Sequence, residues 1–115
     1  MLAQIEERFD GPLTIERTRY GEDVIVVSLA GELDLAVAAD AKAVFAAALE
    51  EHGAMLVVDL TELEFIDSSG VALFYGLARS HHDKDSMRLL RSRHEGVNRV
   101  LELTEVGAVI PIVSP

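Results

Sequence analysis

No cysteine occurs in these 115 residues, so neither a disulfide nor a thiolate metal site is available, which fits a reducing compartment. Long apolar runs are missing too. Nothing approaches the ~20 residues of a membrane span, and the opening Met1-Leu2-Ala3-Gln4-Ile5-Glu6-Glu7-Arg8 is acidic rather than signal-like. The expectation is a cytoplasmic protein with no membrane role. Cations are scarce: ten Lys and Arg face twenty Asp and Glu, a net charge of −10. That balance opposes binding to nucleic acid or to an anionic membrane through bulk electrostatics. Reaction motifs are lacking as well. There is no Gly-x-Ser-x-Gly elbow for a nucleophilic serine and no Gly-x-x-x-x-Gly-Lys or Gly-x-Gly-x-x-Gly phosphate loop, so neither a serine hydrolase nor a kinase is expected. His81-His82-Asp83 lacks matched ligands at helical spacing and reads as a solvated loop, not a metal site. No enzyme activity, metal or cofactor is expected.

What is present is an apolar content of 50%, enough at this length for one domain around one core. Residues 1–9 are expected to form a loose arm and residues 10–115 the domain. Segments 13–19 and 24–30 are rich in β-branched residues and flank Tyr20-Gly21-Glu22-Asp23, the pattern of a hairpin. Asp34 stands directly before an alanine-rich stretch, 35–51, that Gly53 is placed to stop. Within it Val37, Ala41, Val44, Phe45, Ala48 and Leu49 make one apolar stripe.

Residues 55–60 form a short continuous apolar run, the pattern of a strand covered on both faces and joined to the second strand by a β-α-β crossover. A second helix is expected over 69–80, a fourth strand around 87–90, a third helix over 95–104 and a short edge strand over 108–113 that contains Pro111. The fold class is therefore α/β: a small mixed sheet, an antiparallel hairpin followed by parallel β-α-β units, packed with about three helices.

If strands two and three are parallel, the loops Gly31-Glu32-Leu33-Asp34 and Thr61-Glu62-Leu63-Glu64-Phe65-Ile66-Asp67 leave the same edge of the sheet, where open α/β proteins place their sites. Glu32, Asp34, Glu62, Glu64 and Asp67 then gather near Ser68. Charge follows that grouping: residues 1–67 hold four Lys and Arg against fifteen Asp and Glu, residues 68–115 six against five. Asp34 reads as a helix N-cap, and Glu62 and Glu64 as solvated turn residues. Helix two carries Val71, Phe74, Tyr75 and Ala78 on one face and Leu73 and Leu77 on another. Such a helix is either deeply buried or offers its second face to another protein, and on the second reading Leu73 and Leu77 join the partner-binding set. Gly70 and Gly76 each cost about 1 kcal/mol relative to alanine in a helix, a loss explained if another backbone comes close.

Four segments, Gly31-Glu32-Leu33-Asp34, Val57-Val58-Asp59-Leu60, Phe65-Ile66-Asp67-Ser68-Ser69-Gly70 and Val97-Asn98-Arg99-Val100-Leu101-Glu102-Leu103-Thr104, resemble in order and spacing the STAS domain of bacterial anti-sigma factor antagonists. The resemblance covers about residues 12–113. It implies that Ser68, directly after the aspartate, is phosphorylated by an anti-sigma factor that is also a serine kinase, and that a serine phosphatase reverses this. It implies further that the unphosphorylated form binds the anti-sigma factor and releases a sigma factor, with Glu32, Asp34, Asp67, Ser68, Ser69, Gly70, Leu73 and Leu77 as the partner-binding set. The oligomeric state is left open. Two departures are expected: the family commonly has glycine where this chain has Glu105, and its frequent C-terminal helix is not expected after the last strand. The competing expectation is a STAS adaptor or ligand-binding module of a transporter or signalling complex. On either reading Ser68 caps helix two and Ser69 is a first-turn hydroxyl; on the adaptor reading Ser68 serves merely as that cap.

Overall fold

The structure is a computed structural model describing residues 3–51, 54–80 and 86–115. Gly53 and the His81-His82-Asp83 stretch fall outside the described residues. Strands β2 (Leu13–Tyr20) and β3 (Val24–Leu33) pair antiparallel in register from Leu13↔Gly31 to Tyr20↔Val24. The reversal between them uses Gly21 at φ 64°, a left-handed conformation that glycine adopts without a Cβ penalty. Gly31 has a stricter requirement. Its φ is 107°, and a Cβ there would lie 2.2 Å from the carbonyl oxygen of Pro12.

Helix α1 (Leu35–Leu49) crosses to β4 (Met55–Ile66), which runs parallel to β3. Helix α2 (Ser68–Ser80) leads to β5 (Met87–Leu90), and α3 (Glu95–Leu103) leads through a 3-10 turn at Val106–Ala108 to β6 (Ile112–Val113). The six strands lie side by side in sequence order, β4, β5 and β6 each parallel to the one before. The mixed sheet with three helices is the expected fold class.

Burial alternates with a period of two. Ile25, Val27, Leu29, Leu56, Val58, Leu60, Met87 and Leu89 are buried, while Val24, Val26, Ser28, Met55, Val57 and Asp59 are only half-buried. This corrects the expectation that residues 55–60 are covered on both faces: same-sense single-step crossovers of one hand stack their helices on one side. Phe45 of α1 meets Phe74 of α2 in the core, ring centroids 6.3 Å apart and tilted by 51°. The α1 stripe behaves as expected, with Ala41, Val44, Phe45 and Ala48 buried and Val37 and Leu49 packed against them.

Three boundaries differ from expectation. Residues 3–9, expected within a loose arm, form strand β1 (Ala3–Phe9), antiparallel to β2. Every one of its residues is exposed, so no apolar pattern marks it. The ladder holds it together with a polar network in which Glu6 accepts from Arg17 Nε (2.8 Å) and Arg19 Nε (2.9 Å), while Glu51 accepts from the same two guanidinium groups. The segments read as loops, 31–33 and 61–66, continue β3 and β4, with irregular register at Ser28/Ala30 and Gly31/Glu32. Their polar residues face solvent on a sheet open on that side. The final strand is shorter than 108–113, because residues 106–108 coil into the 3-10 turn. Glu105 takes φ 59°, ψ 31°, so the chain makes a left-handed turn there without glycine.

Candidate functional site

Parallel pairing ends β3 and β4 together, Leu33 opposite Ile66, and the Asp67 amide donates to the Leu33 carbonyl at 3.1 Å. One residue past each strand stands an aspartate, and a helix begins after each. Asp34 caps α1: its Oδ1 accepts from the Ala36 amide at 3.0 Å and its carbonyl accepts from Val37 and Ala38. Asp67 does the same for α2, its Oδ1 accepting from the amides of Ser69 at 2.8 Å and Gly70 at 3.2 Å, its carbonyl from Val71 at 3.1 Å. Its second oxygen, Oδ2, reaches across to accept from the Leu35 amide of α1 at 3.3 Å. Both helix starts, whose first amides have no partner within their own helix, are therefore closed by carboxylates.

Expected as the cap of α2, Ser68 instead occupies its first helical position. The acidic side chain one residue earlier, with two acceptor oxygens, takes the first-turn amides. The Ser68 side chain is exposed, and among the described residues its hydroxyl has no hydrogen-bond partner. Ser69 is half-buried and Gly70 buried. A Cβ on Gly70 would lie 2.6 Å from Ile66 Cγ1 and 2.9 Å from Leu33 Cγ. The approach that needs this glycine thus comes from the chain's own side chains. At Gly76 a Cβ would meet nothing within 4 Å.

The acidic residues separate by duty. Glu32 and Glu64 are exposed, Glu32 lying opposite the exposed Phe65 in the β3–β4 ladder. Glu62 pairs with Arg93 at 2.8 Å across solvent-exposed side chains, a contact worth about 0–1 kcal/mol.

Leu73 and Leu77, expected to form a spare face, are buried at 8% and 5% exposure. They lie on a helix that packs side by side with α1. Between the two helices runs an open groove of about 740 Å³ with Leu73 and Leu77 among its lining residues. Leu35 and Ser69 lie toward its start, Leu49 and Ser80 toward its end. Leu35 went unnoticed in the sequence although it is 76% exposed. A signal was present: Leu35, Ala38, Ala39, Lys42, Ala46 and Leu49 repeat at helical spacing as a second stripe, hidden by the alanines that also make the helix strong. Among the described residues no three His, Cys, Asp or Glu side chains are grouped to hold a metal ion, and no helix is long and apolar enough to cross a membrane.

The fold has known counterparts. The chain is 29% identical over 100 residues to an anti-sigma-B factor antagonist of Listeria monocytogenes, covering 87% of this chain and 88% of that one. In structure it is similar to an anti-sigma factor antagonist from Mycobacterium paratuberculosis, with a TM-score of 0.79 and 23% identity over 90% of this chain and 86% of the other. It is also similar to the anti-sigma factor antagonist SpoIIAA in its unphosphorylated form, TM-score 0.70, 22% identity, 87% and 88% covered, and to SpoIIAA of Bacillus in its phosphorylated form, TM-score 0.64, 22% identity, 87% and 91% covered. Residues 15–114 match the family model of the STAS domain, and with a match spanning nearly its whole length the chain belongs to the STAS domain family.

Proposed function

We propose that this protein is an anti-sigma factor antagonist that works by binding rather than by catalysis, in the cytoplasm. Its unphosphorylated form binds an anti-sigma factor that is also a serine kinase, which releases a sigma factor; phosphorylation at Ser68 switches the binding off, and a serine phosphatase restores it. The observation that carries this reading is the Ser68 hydroxyl, exposed and, among the described residues, without a hydrogen-bond partner, next to the groove between α1 and α2. The names of its relatives support it, and SpoIIAA, similar in fold, exists in both forms.

In the transfer, an Oγ–P bond forms as the β–γ phosphoanhydride of ATP breaks, and the hydroxyl proton leaves. The product adds about −1.5 to −2 of charge at the positive end of α2, where an anion gains about 0.3–1 kcal/mol, while adjacent Asp67 opposes it by a comparable amount. Asp67 already holds the Ser69 and Gly70 amides, so the fold does not need the new group. At a protein interface, by contrast, a juxtaposed like charge costs several kcal/mol, and each ~1.4 kcal/mol is tenfold in affinity. The switch acts on binding.

Incubation with the cognate anti-sigma factor and ATP should raise the mass by one phosphate, and Ser68→Ala should abolish the rise. Persistent phosphorylation of Ser68→Ala rejects the site. Equal affinity of the two forms for the anti-sigma factor rejects the switch and favours a STAS adaptor or ligand-binding module.

A further inference from the structure

The carboxylate of Asp67 has more partners than a helix cap requires. Oδ1 serves α2 through Ser69 and Gly70, and Oδ2 serves α1 through Leu35, the first residue of that helix. Asp34 already closes the rest of the α1 start, so the bond from Leu35 adds little that α1 lacks except a tie to α2. From these contacts we infer that Asp67 is a positioning residue for partner binding: it clasps the starts of α1 and α2 and so fixes exposed Leu35 relative to Ser68 and to the mouth of the groove that Leu35 and Ser69 line. This function of the clasp rests on the proposed function, with the groove beside Ser68 taken as the surface on which the anti-sigma factor docks.

All three amides that Asp67 serves through its side chain are donors, and they approach both oxygens. Only a carboxylate accepts on both. An asparagine has one acceptor oxygen and one donor NH2, and as an N-cap it is about as good as aspartate. Asp67→Asn should therefore keep Oδ1 on Ser69 and Gly70 and turn an NH2 toward the Leu35 N–H, opening the clasp and leaving α2 capped. Serine, also a good cap, has one short hydroxyl and should likewise hold α2 alone.

The experiment uses the full chain with amide hydrogen exchange and with affinity for the anti-sigma factor, measured well below the melting temperature so that the folded fraction stays near one. In both Asp67→Asn and Asp67→Ser, the Leu35 amide should exchange about tenfold faster or more while Gly70 stays protected, as expected when one hydrogen bond to a charged acceptor is lost. Affinity for the anti-sigma factor should fall about tenfold in both, a loss that reduced stability alone would not produce at full folding. Unchanged Leu35 exchange in Asp67→Asn overturns the clasp. Faster Leu35 exchange with wild-type affinity overturns its role in positioning. Failure of the wild-type chain itself to bind the anti-sigma factor overturns the proposed function, and with it this inference, even where the exchange data show the clasp.

Discussion

The same substitution at two positions of α2 should change stability in opposite directions. Gly70→Ala gains about 1 kcal/mol of helix propensity, but its Cβ would lie 2.6 Å from Ile66 Cγ1 and within 3.0 Å of two Leu33 atoms. Ile66 is 4% exposed and Leu33 fully buried, and the two nearest atoms, Ile66 Cγ1 and Leu33 Cγ, are mid-chain carbons rather than flexible ends. Relief requires α2 to lift from the ends of β3 and β4, an overpacking cost of about 1–3 kcal/mol. The net expectation is a loss of about 1 kcal/mol within a range of about 0–2, a fall in melting temperature of roughly 4–8 °C per kcal/mol for a domain near this size. Gly76→Ala, six residues on, meets nothing within 4 Å and should keep the whole gain of about 1 kcal/mol. Urea unfolding of wild type and the two variants, with unchanged m-values, measures both. Opposite signs are required; a stabilised Gly70→Ala or a destabilised Gly76→Ala refutes the packing argument. Because Gly76 lines the groove, its added methyl should also weaken anti-sigma factor binding while strengthening the free chain.

Glu105→Gly should stabilise by about 0.5 kcal/mol, since a non-glycine residue at φ 59° costs about 1–2 kcal/mol and the freer glycine chain returns about 0.4–1 of it; thermal unfolding checks the sign. Ser68→Ala should shift stability by less than about 0.5 kcal/mol, because Asp67 and not Ser68 caps α2; a loss near the ~1 kcal/mol typical of a removed cap would contradict the geometry. The Glu6 carboxyl is held below its ordinary 4.5 by the hydrogen bond from Arg19, with burial opposing and Arg17 adding. Its folded value is depressed, so its contribution is present above the unfolded value and is lost as pH falls through the folded one. Urea midpoints of wild type and Glu6→Gln should differ at pH 7 and converge as the pH is lowered below 4.5.

The legible parts of this chain were those whose side chains alternate or repeat cleanly. The hairpin, the α1 stripe, the β5 run and the α3 face of Val97 and Leu101 are all written in apolar spacing. Strand β1 was not, because a strand with every residue exposed shows no apolar alternation, and its anchors Arg17, Arg19 and Glu51 lie distant in sequence. The position of Ser68 next to an acidic turn was readable, but not the division of labour there: that Asp67 spans two helices depends on the in-register ends of β3 and β4. The burial of Leu73 and Leu77 was not legible, because a helical wheel counts apolar faces without knowing how many neighbours wait to cover them.

A strand fastened by its ladder and by ions, with every residue left exposed, also has its own thermodynamic signature. Its detachment would expose little apolar surface, so the heat capacity and the urea dependence of that opening should both be small. Calorimetry and denaturant melts would then register the core and pass over β1, whereas amide exchange on residues 3–9 should follow a separate, lower opening free energy that falls as salt is added, since the Glu6, Arg17, Arg19 and Glu51 pairs are in part exposed to screening.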